Sequence, residues 1–159
     1  MVTTSTILAI DLPDETATGV LAADLARLAR RGDVIGLSGE LGSGKTSFAR
    51  AFIGARLDPG EVPSPTFTLV EIYQSLTGPA LWHFDLYRLE RPDDAYELGI
   101  EEAFAEGIAL IEWPERLGPL LPREHLRVTL ALGRGADERR ALIEAPSSWS
   151  ARIGGLRRG

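Results

Sequence analysis

The hydrophobic and polar positions of the first half of the chain predict strands and helices in alternation. Short apolar runs predict strands at 7–12 and at 34–37, and the second run is almost entirely apolar, as in a strand buried on both faces. Between them, leucines recur three and four residues apart, which predicts an amphipathic helix over 15–31. A glycine-rich loop follows the second strand, and a further helix is predicted over 45–56.

The second half of the chain predicts antiparallel strands beside a parallel core. β-branched and aromatic residues predict a strand over 66–73, and a turn at 74–79 leads back into a second strand at 80–87. The other predicted elements are a helix at 93–104 interrupted near Gly99, a buried strand at 108–111 and a hairpin of strands 127–132 and 139–144. One domain over 1–159 accounts for all of them.

Composition and charge exclude several kinds of function but say little about the fold. Apolar residues make up 44% of the chain and charged residues 25%, an ordinary globular balance. The net charge of −6 argues against a broad basic face for nucleic acid, and the absence of cysteine excludes disulfides and thiolate metal sites. No apolar run approaches the ~20 residues of a membrane span and no signal peptide is evident, so we expect a cytoplasmic protein. The arginines near the end, Arg152, Arg157 and Arg158, are expected to form a solvated tail.

Residues 39–46, GELGSGKT, match the pattern G-x-x-x-x-G-K-[ST] in full. Such a loop turns its backbone N–H groups around phosphate oxygens, and the next helix adds its dipole. Lys45 would reach the β and γ phosphates, and the hydroxyl of Thr46 would join the shell of Mg²⁺. The predicted nucleotide-binding residues of this segment are Gly39, Glu40, Leu41, Gly42, Ser43, Gly44, Lys45, Thr46 and Ser47. The fold predicted is therefore α/β, a P-loop NTPase-like three-layer sandwich whose mixed sheet has a parallel core and antiparallel edge hairpins.

A P-loop enzyme also needs a carboxylate at the end of a neighbouring strand. Asp85 and Glu112 each follow an apolar run. The run before Glu112 is the more uniformly apolar, so we expect Glu112 to hold the metal directly and Asp85 to act behind the metal's ligands or to position the attacking water. The alternative for each is a carboxylate in a surface turn.

Three further positions leave alternatives open. Thr66, in the proline-rich stretch SPTFT, is either a switch that senses the γ-phosphate or part of a strand-entry turn. Trp113 follows Glu112 and lies near the nucleotide or in the core. His83 and His125 are expected to be packed or surface residues, since no metal-type spacing joins them.

What the sequence lacks also bears on function. No N-K-x-D motif, with which GTPases recognise guanine, follows a late strand. No arginine-rich insertion resembles the lid of a small nucleotide kinase. Two other functions stay open: a small-molecule kinase whose first hairpin binds an acceptor, and a nucleotide-gated module that locks partner proteins in one state.

The motifs together resemble the bacterial ATPases of tRNA threonylcarbamoyladenosine biosynthesis, the TsaE (YjeE) family, over about residues 13–145. The motifs that carry the resemblance are GELGSGKTSFAR at 39–50, SPTFTLVEIY at 64–73, HFDLYRL at 83–89, ELGIEEAF at 97–104 and IEWPERL at 111–117. The departures, Glu40 for a commoner Asp and Ser43 for a commoner Ala, remove no backbone amide.

The resemblance implies more than the residues alone. Family members bind ATP or ADP with Mg²⁺, hydrolyse ATP slowly alone, and support TsaB and TsaD. Those partners modify adenosine 37 of tRNAs that read codons beginning with adenine, so contact with tRNA would be indirect. The roles carried over are metal binding by Thr46 and Glu112, catalysis by Lys45, Asp85 and Thr66, and nucleotide contact by Trp113 and, near the adenine, Thr18.

Overall fold

The protein forms one seven-stranded sheet with helices on its two faces, in a computed structural model that describes residues 6–57, 69–74 and 78–156. The strands are β1 (Thr6–Leu12), β2 (Val34–Ser38), β3 (Val70–Tyr73), β4 (Leu81–Asp85), β5 (Ile108–Glu112), β6 (Leu126–Leu132) and β7 (Arg139–Ala145). The helices are α1 (Glu15–Leu28), α2 (Lys45–Arg56), α3 (Ile100–Glu106) and α4 (Ser147–Ile153), and 3₁₀ turns run over Pro92–Leu98 and Pro114–Leu120.

The strand order is β1-β7-β6-β2-β5-β4-β3. The four central strands β6, β2, β5 and β4 are parallel, and β5 is buried at all five positions, as expected of a strand covered on both faces. At one edge β3 runs antiparallel to β4, and at the other β7 runs antiparallel to both β6 and β1. The predicted mixed sheet with a parallel core and antiparallel edge hairpins is confirmed.

Two hydrophobic cores lie on opposite faces of the sheet, because successive side chains of a strand point to opposite sides. In β2, Ile35 and Leu37 pack with helices α1, α2 and α4, whereas Val34 packs with α3 and the 3₁₀ turns. In β5, Leu110 faces the first core and Ile111 the second. The predicted three layers are therefore present, and α2 lies on the same face as the even-numbered side chains of β5.

Helix α1 ends three residues earlier than the predicted 31. Asp14 caps its start, its carboxylate accepting from the N–H of Ala17 at 2.8 Å. At its end, Ala29 takes an extended conformation, and the guanidinium of Arg56, from the last turn of α2, donates to the carbonyl oxygens of Ala26 (2.6 Å) and Ala29 (3.2 Å). A distant arginine thus satisfies the carbonyls of the final turn.

The prediction of a solvated arginine tail is wrong for Arg152. This residue lies in α4, a helix absent from the sequence prediction, and its guanidinium pairs with the carboxylate of Asp33 at 2.7 Å. It also lies 4.0 Å from the ring of Trp149 and donates to the carbonyl of Leu28 at 2.8 Å. The apolar side chains of α4 pack in the first hydrophobic core, so this segment is a packed helix and not a solvated tail. Arg157 and Arg158 lie outside the described residues.

The remaining predicted elements are present where the structure describes them, although the strand predicted over 80–87 is observed only at Leu81–Asp85. The helix predicted over 93–104 is present as a 3₁₀ turn and α3, separated at Gly99. The final hairpin is confirmed, and the strand predicted over 66–73 is observed at Val70–Tyr73, while 66–68 lie outside the described residues. Within the described ranges no helix combines the length and apolarity needed to cross a membrane.

Candidate nucleotide-binding site

The glycine-rich loop connects β2, at the centre of the sheet, to the first residue of α2. Three of its glycines have positive φ: Gly39 (141°), Gly42 (83°) and Gly44 (102°). A Cβ atom at position 39 would lie 2.5 Å from the carbonyl oxygen of Leu130 in the adjacent strand β6, so only glycine fits there. The loop is thereby held close against the sheet, as a phosphate-binding turn requires.

Lys45 is the only lysine of the chain, and its ammonium binds backbone carbonyls of this loop. The side chain is 6% exposed, and Nζ donates to the carbonyl oxygens of Gly39 and, at 3.0 Å, of Glu40. The ring of Trp113 completes its surroundings, with its centroid 4.2 Å from Nζ. A buried cation is thus surrounded by neutral groups on these sides.

The environment of Lys45 suits an anion. Burial lowers the pKa of its ammonium below the ordinary value of 10.5, and the carboxylates of Glu112, Glu115, Asp85 and Glu40 offset this only in part. No carboxylate of the described residues lies within 4.0 Å of Nζ. No side chain caps the N-terminus of α2 either. A buried cation beside an uncapped helix N-terminus is an electrostatic fit for phosphate.

The two predicted carboxylates end neighbouring parallel strands. Asp85 is the last residue of β4 and Glu112 the last of β5, and the two are direct partners in the ladder. Leu37, just before the P-loop, is the partner of Glu112 on its other side. Both carboxylates point to the face of the sheet that is covered by α2, because they stand two residues after side chains on that face. The fold therefore places them at the edge where the P-loop lies.

The two carboxylates differ in burial and in partners. Glu112 is buried, and its Oε2 lies 2.7 Å from Nε2 of His83. Asp85 is exposed and accepts a hydrogen bond from the N–H of Tyr87 at 3.2 Å. Glu112 is therefore fixed in orientation, whereas Asp85 faces solvent at the same edge.

His83 is a site residue to which the sequence reasoning assigned no role. The available signal was its spacing: on a strand, positions 83 and 85 share one face. His125, by contrast, lies away from the loop, with Nδ1 2.6 Å from the carbonyl oxygen of Pro122, and is packed as expected.

Trp113 takes the left-handed conformation, with φ 61° and ψ 52°. It is the one non-glycine residue of the described ranges with positive φ, and such strain often accompanies function. Its N–H donates to the carbonyl of Leu37 at 3.3 Å, and its ring lies 5.0 Å from that of Tyr87. The turn thus directs the indole onto Lys45.

On the other side of the loop lies a cleft of about 130 Å³. Its lining residues are Glu15, Thr18, Gly44, Ser47, Asp137 and Arg139. Thr18 is buried, its hydroxyl donating to the carbonyl of Asp14 at 3.4 Å, and the hydroxyl of Ser47 donates to Glu15 at 3.2 Å. A larger open groove, about 690 Å³, is lined in part by Arg139 and Arg140.

A metal ion at this site would depend on the nucleotide for ligands. No group of three carboxylate or imidazole side chains suited to a cation occurs within the described ranges. Mg²⁺ is usually held by one or two protein oxygens together with phosphates and water, and Thr46, exposed in the first turn of α2, and Glu112 could provide those oxygens. Thr66, the third predicted catalytic residue, lies outside the described residues.

Comparisons with known proteins find a family that matches most of the chain. Residues 12–141 match the family described as "Threonylcarbamoyl adenosine biosynthesis protein TsaE". A tRNA threonylcarbamoyladenosine biosynthesis protein TsaE from Bacillus subtilis is 37% identical over 134 residues, 84% of this chain and 81% of that protein. Its namesake from Streptomyces coelicolor is 39% identical over 125 residues, 74% of this chain and 82% of its own length.

A solved structure is similar throughout the fold. The crystal structure of YdiB from Bacillus subtilis superposes with a TM-score of 0.75 at 28% sequence identity. The match covers 95% of this chain and 93% of that one.

Proposed function

The chain belongs to the TsaE family of threonylcarbamoyl adenosine biosynthesis proteins, and from that premise we propose that it is an ATPase of tRNA modification. In this proposal it binds ATP or ADP with Mg²⁺ and acts with TsaB and TsaD in the cytoplasm. Their product would be threonylcarbamoyladenosine at position 37 of tRNAs that read codons beginning with adenine. The observation that carries the proposal is the buried ammonium of Lys45, which has no carboxylate of the described residues within 4.0 Å and lies beside the uncapped N-terminus of α2.

We assign each residue of the site a role in ATP hydrolysis. The loop amides and Lys45 stabilise charge on the phosphates, and Trp113 covers the ammonium from the other side. Thr46 and Glu112 provide oxygens for the metal, with Glu112 held in orientation by His83. When bound, Mg²⁺ would neutralise negative charge on the phosphate oxygens. Asp85, at the same edge and exposed, orients the attacking water together with Thr66.

Hydrolysis by the isolated chain is expected to be slow. Arg139, the arginine that contacts the P-loop, donates to backbone carbonyls and so does not serve as an arginine finger. A finger supplied by a partner contributes ~10³–10⁵ in rate. We therefore propose that TsaB and TsaD complete the site, and that tRNA is reached through the complex they form.

Calorimetric titration with ADP and ATP, in the presence of Mg²⁺, tests the binding half of the proposal. The wild-type protein should bind both nucleotides and Lys45→Ala neither.

Asp85→Ala should retain ATP binding and lose hydrolysis. If that variant still supports tRNA modification by the partners, the protein acts as a nucleotide-gated lock and hydrolysis serves only for release. Transfer of phosphate to a small acceptor without the partners would instead favour a kinase.

A further inference from the structure

Arg139 joins the last hairpin of the sheet to the phosphate-binding loop. Its Nε donates to the carbonyl of Ser43 at 3.0 Å and one Nη to that of Gly42 at 3.1 Å. The other Nη donates to the carbonyls of Ala136 and Glu138, each at 2.8 Å, within the β6–β7 connection. We propose that Arg139 is a positioning residue that orients the phosphate-binding amides of the P-loop, an inference that rests on the proposed function.

The argument follows from the geometry of the peptide bond. In a planar trans peptide the C=O and N–H groups point in opposite directions. The carbonyl of Ser43 belongs to the same peptide as the N–H of Gly44, so a guanidinium that holds this carbonyl turns the N–H to the opposite side of the loop. That N–H donates to no acceptor within the described ranges. It is therefore available to a phosphate, in an orientation that Arg139 sets.

The neighbouring peptide is held at both ends. The carbonyl of Gly42 accepts from Arg139, and the N–H of the same peptide, on Ser43, donates to the carbonyl of Glu40 at 3.1 Å. A positive charge on a carbonyl also polarises its peptide, which strengthens the N–H as a donor. Arg139 thus acts on two consecutive peptides at the tip of the loop.

The guanidinium suits this role better than an ammonium would. No carboxylate of the described residues lies within 4.0 Å of Arg139, so its donors all serve backbone carbonyls. Its planar fork reaches the loop and the hairpin at once, whereas a lysine would offer one compact point charge. We therefore expect Arg139→Lys to preserve the charge and lose much of the effect.

The experiment compares Arg139→Ala and Arg139→Lys with Arg140→Ala. Arg140 is the next residue of β7, and it faces away from the loop in an exposed ion pair with Asp11 at 3.1 Å. Binding of ADP and of inorganic pyrophosphate is measured for each protein. Loss of oriented amides should weaken both ligands by a similar factor, about 10- to 100-fold, as expected for one or two charge-assisted hydrogen bonds. Arg140→Ala should bind both ligands as the wild type does.

Two further readouts separate positioning from a general loss of structure. The backbone amide resonance of Gly44, in the protein without nucleotide, should shift in Arg139→Ala and stay in place in Arg140→Ala. Added guanidinium chloride at millimolar concentration should restore part of the ADP affinity of Arg139→Ala. If Arg139→Ala does not fold, Arg139→Lys and its Gly44 resonance carry the test.

The outcomes distinguish this inference from the proposed function. Wild-type affinity for both ligands in the Arg139 variants overturns the inference. So does a loss for ADP alone, which would make Arg139 a direct contact of the nucleoside in the cleft that it lines with Thr18. A wild-type protein that binds neither ligand would overturn the proposed function itself.

Discussion

Replacing His83 tests how the buried carboxylate of the site is held. Nε2 of His83 lies 2.7 Å from Oε2 of Glu112, and the two side chains are 16% and 6% exposed. When Glu112 is ionised its carboxylate can only accept, so Nε2 donates. In His83→Ala the carboxylate would remain buried without this donor, since no other hydrogen bond to its side chain occurs within the described residues.

The size of the effect follows from this burial. A hydrogen bond to a charged group contributes about 1.5–3 kcal/mol, and the space left by the imidazole adds to the loss. We expect His83→Ala to lower the free energy of unfolding by about 2–4 kcal/mol. For a chain of this size that corresponds to a fall in Tm of about 5–12 °C. Weaker control of Glu112 should also raise the Mg²⁺ concentration for half-maximal ATP hydrolysis by about 10- to 100-fold.

The matched variant is His83→Gln, whose amide N–H can reach a similar position. Thermal unfolding and a Mg²⁺ titration of ATP hydrolysis are measured for both variants. His83→Gln should stay within about 1 kcal/mol of the wild type and need little additional Mg²⁺. If alanine and glutamine variants behave alike in the Mg²⁺ titration, His83 does not act through Glu112, and the reasoning about this pair is wrong.

Three other predictions use single features of the structure. Because burial lowers the pKa of Lys45, the unfolded chain binds more protons between that pKa and 10.5. The unfolding free energy of the wild type should therefore rise with pH across this window, and Lys45→Met should lose that rise. NMR titration of the sole lysine side chain measures the pKa directly. A pKa of 10.5 or more would contradict the prediction. Arg152→Ala removes the ion-pair partner of Asp33, which is mostly buried and keeps, among the described residues, only the hydrogen bond from the N–H of Arg30 at 2.6 Å. It should cost about 3 kcal/mol in denaturant unfolding with ADP affinity unchanged, against less than about 1 kcal/mol for Arg31→Ala in its exposed pair. Gly39→Ala should abolish nucleotide binding, because the added methyl would collide with the backbone of β6. Gly42→Ala has open space around the added methyl and should cost only about 1–2 kcal/mol of backbone strain. Equal calorimetric affinities of the two variants for nucleotide would refute this.

The features that the sequence predicted best are those encoded locally. The buried strand β2, the glycine loop and α2 follow one another along the chain, and each has its own pattern, so α2 is observed at the predicted 45–56. Asp85 and Glu112 could be predicted to meet because both end apolar runs, and parallel strands bring their carboxyl ends to one edge. The break at Gly99 was also visible from the residue alone.

The features that escaped prediction depend on contacts between distant parts of the chain. Helix α1 ends at Leu28, where Arg56, 27 or more residues away, binds the carbonyls of Ala26 and Ala29. Arg152 reaches Asp33 across 119 residues, and Arg139 reaches the P-loop across 96. An arginine in a sequence does not reveal which carbonyl or carboxylate it will find, so the bracing of the loop emerges only from the fold.

The measurement that bears most directly on the proposed function is ATP hydrolysis in a reconstituted reaction. Phosphate release and threonylcarbamoyladenosine in tRNA are followed with this protein alone, and with TsaB, TsaD and substrate tRNA, with Lys45→Ala as the control. We expect slow hydrolysis alone, strong stimulation by the partners, and modified tRNA only with the wild-type chain. Equal, slow hydrolysis in both mixtures, with modification proceeding in the Lys45→Ala reaction, would contradict the proposal that ATP turnover at this loop supports tRNA modification.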